Sequence, residues 1–296
     1  MTSRPGRRGR ASRTLTAYAF LAPSLAVIGL FTVWPLILAA GSSVRAARPG
    51  SGEWVGADNY VAVLNSEEFR NALGNTAVYV VLATPVTVAC ALGLALLLNR
   101  KLAGRTFFRA AVFVPAVVSL GVTAISWRFL LSPEIGLVTH WLHRLGIPAG
   151  NGIRDPDLGL AYLAVVHVWR NVGFYAVMYL AGLNTIPRTY YESAHLDGAN
   201  AWQRFRHITW PLLGNTTAFV SILAVVTAVQ AFDHVFVMTG GGPYSSTETL
   251  VYLLYRKGFE DLEFGYAATL GWIVLLMVFA LSLAQNLYFS RRVVGY

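Results

Sequence analysis

Ala77-Val-Tyr-Val-Val-Leu-Ala-Thr-Pro85-Val-Thr-Val-Ala-Cys90-Ala-Leu-Gly-Leu-Ala-Leu-Leu-Leu98 runs for 22 residues without a charged side chain. A helix of that length crosses the roughly 30 Å hydrocarbon core of a bilayer, and strands left open in lipid would strand their backbone polar groups. Five further blocks read the same way, at about Tyr18 to Ala40, Ala110 to Leu131, Leu158 to Leu183, Leu212 to Phe236 and Tyr266 to Phe289. Barrel-like alternation is absent. The sequence therefore predicts an all-α membrane protein with six transmembrane helices. Pro23, Pro35, Pro85 and Pro115 lie inside the blocks, where membrane helices tolerate them as bends.

Composition agrees. Hydrophobic residues make up 55% of the 296 and charged residues 12%, whereas a soluble domain carries about 25% charge. The single cysteine, Cys90, can form no intramolecular disulfide, and it reads as a small buried hydrophobe. No Cys/His spacing suits a metal. Arg4, Arg7, Arg8, Arg10 and Arg13 precede the first block, as in a signal peptide. The apolar stretch exceeds the usual 7–15 residues of such a signal, so an uncleaved anchor is expected. The chain divides into a basic tail (1–15), a first helix with its outer loop (16–73), the main transmembrane domain (74–290) and a short C-terminus (291–296).

The net charge of +9 sorts by side. With the N-terminus in the cytoplasm, 14 Lys/Arg fall on cytoplasmic segments and seven on outer ones, which the positive-inside rule favours. Glu53, Asp58, Glu67, Glu68, Glu134, Asp155, Asp157, Glu248, Glu260, Asp261 and Glu263 all fall outside. Both termini are then cytoplasmic. The basic balance is a membrane-anchoring pattern and carries no sign of nucleic-acid binding.

The loop between the fourth and fifth blocks, 184–211, is long for a connection in a compact membrane protein. Tyr190, Tyr191, Trp202, Phe205 and Ile208 make it too aromatic for disorder. Ala194, Gly198, Trp202, Phe205 and Ile208 recur at intervals of three or four, a helical face. Pro187 suits a helix start and Gly198 a bend. Two short helices bent at glycine are expected. Glu192, His195 and Asp197 disfavour lying on an anionic leaflet, so docking against a partner is the better reading.

Glu192-Ser193-Ala194, then Gly198-Ala199, Phe205, Ile208 and Pro211, resemble the EAA loop of ABC importer permeases, departing in the first triplet only at Ser193. The resemblance implies the type I importer permease fold, a multi-pass protein of the bacterial plasma (inner) membrane with both termini on the cytoplasmic side. Glu192, Ser193, Ala194, Gly198, Ala199, Trp202 and Phe205 would form a coupling helix seated in a separate ATPase. Phe232-Asp233 followed by Met238-Thr239-Gly240-Gly241-Gly242-Pro243, and Gly56-Ala57-Asp58-Asn59-Tyr60, resemble stretches of the maltose and glycerol-phosphate branch. By residue chemistry alone the triple glycine with proline is only a tight outer turn. The family implies a second homologous permease, an ATP-binding subunit dimer, an extracytoplasmic solute-binding protein and contact with membrane lipid. No cofactor is expected on this chain, and ATP belongs to the partner.

Polar residues within spans are expensive and default to function. Arg170 and Asn171 fall near the middle of the fourth block; Gln230, Phe232 and Asp233 fall in the outer third of the fifth. These five are the candidate solute pathway. Arg170 either binds an anionic solute or pairs structurally. An Arg128–Asp233 ion pair is expected near the outer mouth. Trp169, Tyr175 and Phe232 either stack on a sugar or pack. His167 is expected to be satisfied by helix packing, and Asn286 to bond between helices. No phosphate loop or paired-His zinc helix is present, so catalysis is not expected. Rival readings are a permease of another ABC import branch, an intramembrane lipid-modifying enzyme and an ion-driven carrier. For a carrier working alone the 184–211 loop would be dispensable.

Overall fold

A computed structural model describes residues 7–46, 53–100, 104–146 and 150–290. The expected basic residues before Arg7 and after Ser290, and Arg48 and Lys101, lie outside them. Four helices are long and apolar enough to cross a membrane: α1 (Tyr18–Ser43), and three that follow it. In chain order α1 is succeeded by α2 (Asp58–Asn65) and α3 (Glu67–Leu98). A bent pair comes next, α4 (Arg105–Val117) and α5 (Leu120–Leu130), at 94°. Then come α6 (Leu137–Arg144) and α7 (Gly159–Thr185). A second bent pair, α8 excluded, follows the short α8 (Arg188–Leu196): α9 (Ala201–Leu212) and α10 (Gly214–Val229), at 68°. The chain closes with α11 (Leu250–Tyr255) and α12 (Phe264–Ser290). Counting each bent pair once brings the candidate spans to six.

Two blocks thus differ from the continuous helices expected. The third block breaks at Val118–Ser119, where both residues turn extended. Pro115 lies three residues before the break and removes one helix donor. The fifth block begins at Gly214 and stops at Val229, which is about 24 Å of helix. Proline acts differently elsewhere. Pro23 and Pro85 sit in unbroken helix. Pro35 and Pro211 each follow a tryptophan and a five-residue π-turn, Gly29–Val33 and Phe205–Thr209. A proline ring clashes with the carbonyl four residues back, and a local π-turn is one way to relieve that.

Two compact units divide the chain: Met1–Val63 with Lys257–Trp272, and Leu64–Arg256 with Ile273–Tyr296. In the first unit, the Asn59 side-chain amide donates to the carbonyls of Ser43 (2.8 Å) and Arg45 (2.6 Å). Tyr60 meets the Ser43 hydroxyl at 2.9 Å, and the Thr269 hydroxyl donates to the Ser43 carbonyl. The stretch Gly56–Tyr60 therefore satisfies carbonyls that the end of α1 leaves without helical partners.

In the second unit two buried clusters stack along α3 and α7. One gathers Tyr79, Leu163, Val166, Met238 and Tyr252; the other gathers Leu92, Tyr175, Tyr179, Leu213 and Val220. Close approach depends on glycine. A Cβ at Gly173 would overlap the Val112 carbonyl, and one at Gly182 would overlap the Thr216 hydroxyl, as in small-residue helix interfaces of membranes. Cys90, expected inside, is exposed. It sits on the outer side of α3, where apolar character suits lipid as well as core.

Candidate functional site

Arg170 is the twelfth residue of α7, near its middle. Its Nη1 donates to the Pro115 carbonyl at 3.1 Å and to the Val118 carbonyl at 2.8 Å. Those carbonyls lie at the end of α4, where the break leaves them without helical partners. A guanidinium is the donor a helix C-terminus favours. Of the two readings of Arg170, solute binding or structural pairing, these hydrogen bonds fit the structural one.

The same guanidinium borders a cavity of about 260 Å³. Arg170 and Asn171 from α7 line it, together with Gln230, Phe232 and Asp233 from the segment after α10. All five residues proposed for the solute pathway therefore meet at one cavity. Both helix breaks face it: Leu120 and Thr123 flank the first, Gln230 to His234 form the second. Irregular backbone at membrane depth occurs where it is buried in protein or lines a wet cavity, and discontinuous helices form many transporter sites. Asn171 donates to the His167 carbonyl on its own helix. Gln230 and Asp233 are exposed. Phe232 stacks on Phe236 at 5.4 Å and on Tyr255 at 5.1 Å.

His167 also lines this cavity, and its Nε2 is buried without a hydrogen-bond partner. The expectation that packing would satisfy it fails at that atom. Tyr79 explains why: its hydroxyl bonds His234 Nε2, and its ring meets His167 only edge-on at 5.7 Å. Tyr175 is buried with its hydroxyl on Thr227, and Trp169 packs edge-on against Trp127 at 5.4 Å. Tyr175 is thus a packing residue, while Trp169 stays 41% exposed. Asn286 is exposed and makes no hydrogen bond among the described residues.

The Arg128–Asp233 pair does not form. Arg128 donates to the Val237 carbonyl at 3.2 Å and borders a separate cavity of about 670 Å³ with Glu134, Arg154 and Thr239. The start of α5, at Leu120, Thr123 and Ala124, lines Asp233's cavity, whereas Arg128 near its far end borders the other one. Glu134 pairs with Arg154 there. Hydrogen bonds from the Ser132 hydroxyl and its own backbone N–H, with attraction from Arg154, hold Glu134 below the usual carboxylate range.

Beyond the Gly-Gly-Gly-Pro turn the chain is more than a turn. Thr247, Glu248 and Thr249 are buried. Asn71 and Asn75 of α3 donate to the Ser245 carbonyl. Glu248 bonds Arg256 at 2.9 Å, and Glu68 joins at 3.3 Å. Burial pulls Arg256 down, but the two carboxylates outweigh it and raise the guanidinium above its ordinary value. Nothing in the local sequence marks Glu248 as buried.

In the 184–211 loop, α8 ends at Leu196 and the chain turns at Gly198, whose φ is +75°. Its N–H bonds the His195 carbonyl, and Ala199 reaches back to Ala194 at 2.9 Å. Asn200 caps α9 reciprocally with Gln203. That Asn-x-x-Gln spacing is a readable capping signature. Because two non-helical residues follow the glycine, the expected single face splits. Tyr191, Phe205 and Ile208 pack inward against the second cluster, and Tyr191 bonds Thr209. Glu192, Ser193, Gly198 and Trp202 are exposed; Ala194 and Ala199 are half-buried. Leu196, passed over in the sequence, is 88% exposed, an apolar tip that nothing among the described residues covers.

Broken apolar helices closing on a polar cavity, with an ordered loop projecting from one end, define a polytopic membrane transport protein. The chain belongs to the binding-protein-dependent transport system inner membrane component family, whose model matches residues 60–294. It is 33% identical over 279 residues to the sn-glycerol-3-phosphate transport system permease protein UgpA of Agrobacterium fabrum, covering 93% of this chain and 95% of that one. It is 34% identical to the lactose transport system permease protein LacF of Rhizobium radiobacter, covering 92% and 93%. The fold matches a subunit of a bacterial ABC transporter that imports the acidic polysaccharide alginate, with a TM-score of 0.83 and 24% identity over 96% of this chain and 98% of that one. The chain is thus a permease subunit of a binding-protein-dependent importer of the ABC type, a class in which ATP hydrolysis belongs to a separate subunit.

Proposed function

We propose that this chain is one of two permeases in an ATP-driven importer, and that it passes a sugar or a sugar-like solute such as glycerol phosphate into the cell by alternating access. It crosses the inner membrane six times with both termini in the cytoplasm; the distribution of basic residues supports that orientation. The 184–211 loop docks in an ATP-binding subunit through Glu192, Ser193, Ala194, Gly198, Ala199, Trp202 and Phe205, and Leu196 enters the same cleft. ATP stays on that partner. A second homologous permease completes the pathway, and a solute-binding protein delivers cargo from outside.

The observation that carries this reading is the meeting of Arg170, Asn171, Gln230, Phe232 and Asp233 at one cavity between two helix breaks. Its walls offer amide donors and acceptors, an imidazole and an aromatic ring, which suit a polyhydroxylated solute. The glycerol-phosphate and lactose systems named among the relatives fit that chemistry.

Uptake by the reconstituted complex over a panel of sugars and glycerol phosphate tests it. Gln230→Ala removes one neutral hydrogen bond to solute, worth about 0.5–1.5 kcal/mol, so KM for the transported solute should rise up to about tenfold. An unchanged KM for every transported solute in both Gln230→Ala and Asn171→Ala would take this cavity off the pathway.

A further inference from the structure

An apolar groove of about 860 Å³ runs between α3, α10 and α12, floored by Ala89 and Gly93 and walled by Trp210 and Tyr288. A second cavity, of about 560 Å³, holds Arg100 and Arg204 with the hydroxyl-bearing Tyr191 and Thr209. Leu96 and Phe205 line both, so the two adjoin. From Leu96 back to Thr84, the ends of the groove on α3, is about 18 Å of helix rise. That is slightly more than half of the roughly 30 Å hydrocarbon core. The groove therefore has the depth of one leaflet.

The two ends differ in charge as an amphiphile requires. No acidic side chain lines either cavity. Among the described residues Arg100 makes no ion pair, and Arg204 meets only His195, at 3.5 Å. Trp202, Trp210 and Tyr288 cluster around the two cavities, as aromatic residues do at a membrane interface.

We propose that these adjoining cavities hold one inner-leaflet phospholipid with an anionic headgroup, its hydrocarbon in the groove and its phosphate at Arg100 and Arg204. The site rests on the cytoplasmic placement of the 184–211 loop proposed above. The lipid would lie against Phe205 and Trp202, so leaflet charge would bear on the loop that meets the ATPase.

The test uses the purified transporter complex in nanodiscs of phosphatidylcholine doped with phosphatidylglycerol, followed by detergent extraction and mass spectrometry of retained lipid. Each basic side chain near an anionic leaflet strengthens attachment about fivefold, so Arg100→Ala with Arg204→Ala should lower phosphatidylglycerol retention about 30-fold. Phosphatidylcholine retention should not change. Gly93→Leu, at a position with open space beside it, should fill the groove and exclude both lipids. Unchanged phosphatidylglycerol in both variants would overturn the site. So would quantitative cross-linking of Ala89→Cys to the second permease, which would put protein in the groove. Impermeant maleimide on Leu196→Cys separates the two failures. Labelling from inside only, with lipid retention unchanged, sinks the lipid site alone; labelling from outside sinks the orientation as well.

Discussion

Arg170 shows what a single intramembrane charge does here. Left alone at mid-depth it would cost at least about 2.5–3.5 kcal/mol; instead it satisfies two carbonyls that the break in the third block sets free. Hydrogen bonds from a charged donor contribute about 1.5–3 kcal/mol each. Arg170→Leu should therefore lower the melting temperature of the complex, and Arg170→Lys should recover part of it. A stable Arg170→Leu complex that no longer bound solute would make the guanidinium a solute contact instead. Its depth was legible in the apolar pattern of the fourth block. Its partners were not, because they lie 52 and 55 residues away and exist only once the third block breaks. Asn59 is a similar case: the Gly56–Tyr60 segment was recognisable as a family stretch, but its hydrogen bonds to the end of α1 leave no periodic trace.

Among elements, the 184–211 loop was the most readable. Aromatic spacing gave two short helices and Gly198 gave the bend; the inward turn of Phe205 and Ile208 escaped because a 3.6-residue period cannot be continued through the left-handed glycine. Nothing lies within 4 Å of a Cβ at Gly198, so substitution there strains backbone alone. A side chain in that conformation costs about 1–2 kcal/mol. Gly198→Asn, which tolerates it, should keep uptake coupled to ATP hydrolysis, whereas Gly198→Val should lower the ratio of solute moved to ATP consumed. Equal ratios in the two would remove the bend from coupling. The segment before α7 should respond to pH. Backbone N–H groups of Asn151, Asp157 and Leu158 bond the Asp155 carboxylate and hold it below its ordinary value. A depressed carboxylate stabilises the fold above its unfolded-state value, near pH 4, and that contribution goes as pH falls through the lower folded value. Amide exchange at those three positions should be slow at neutral pH and accelerate in acid. Exchange independent of pH, after correction for intrinsic rates, would contradict it.

For the whole molecule, hydropathy found the apolar helices and misjudged their continuity: among the described residues four are long and apolar enough to cross alone, and up to six if each bent pair is one span. Val118–Ser119 and Gln230–Phe232 are apolar enough to pass as helix, and only the packing of α7 against them shows that they are not. Those two irregular stretches are where the cavity forms, so the features hydropathy smooths over are the ones on which transport is proposed to depend. In the proposed function the ordered loop hands work to this permease from a separate ATPase. The direct measurement is site-specific cross-linking of Leu196→Cys, with Cys90 replaced by alanine, in the assembled complex. The account predicts a covalent adduct with the ATP-binding subunit whose yield changes when ATP is bound. An adduct only with a protein of the outer face, or none with an ATP-binding subunit that co-purifies, would contradict it.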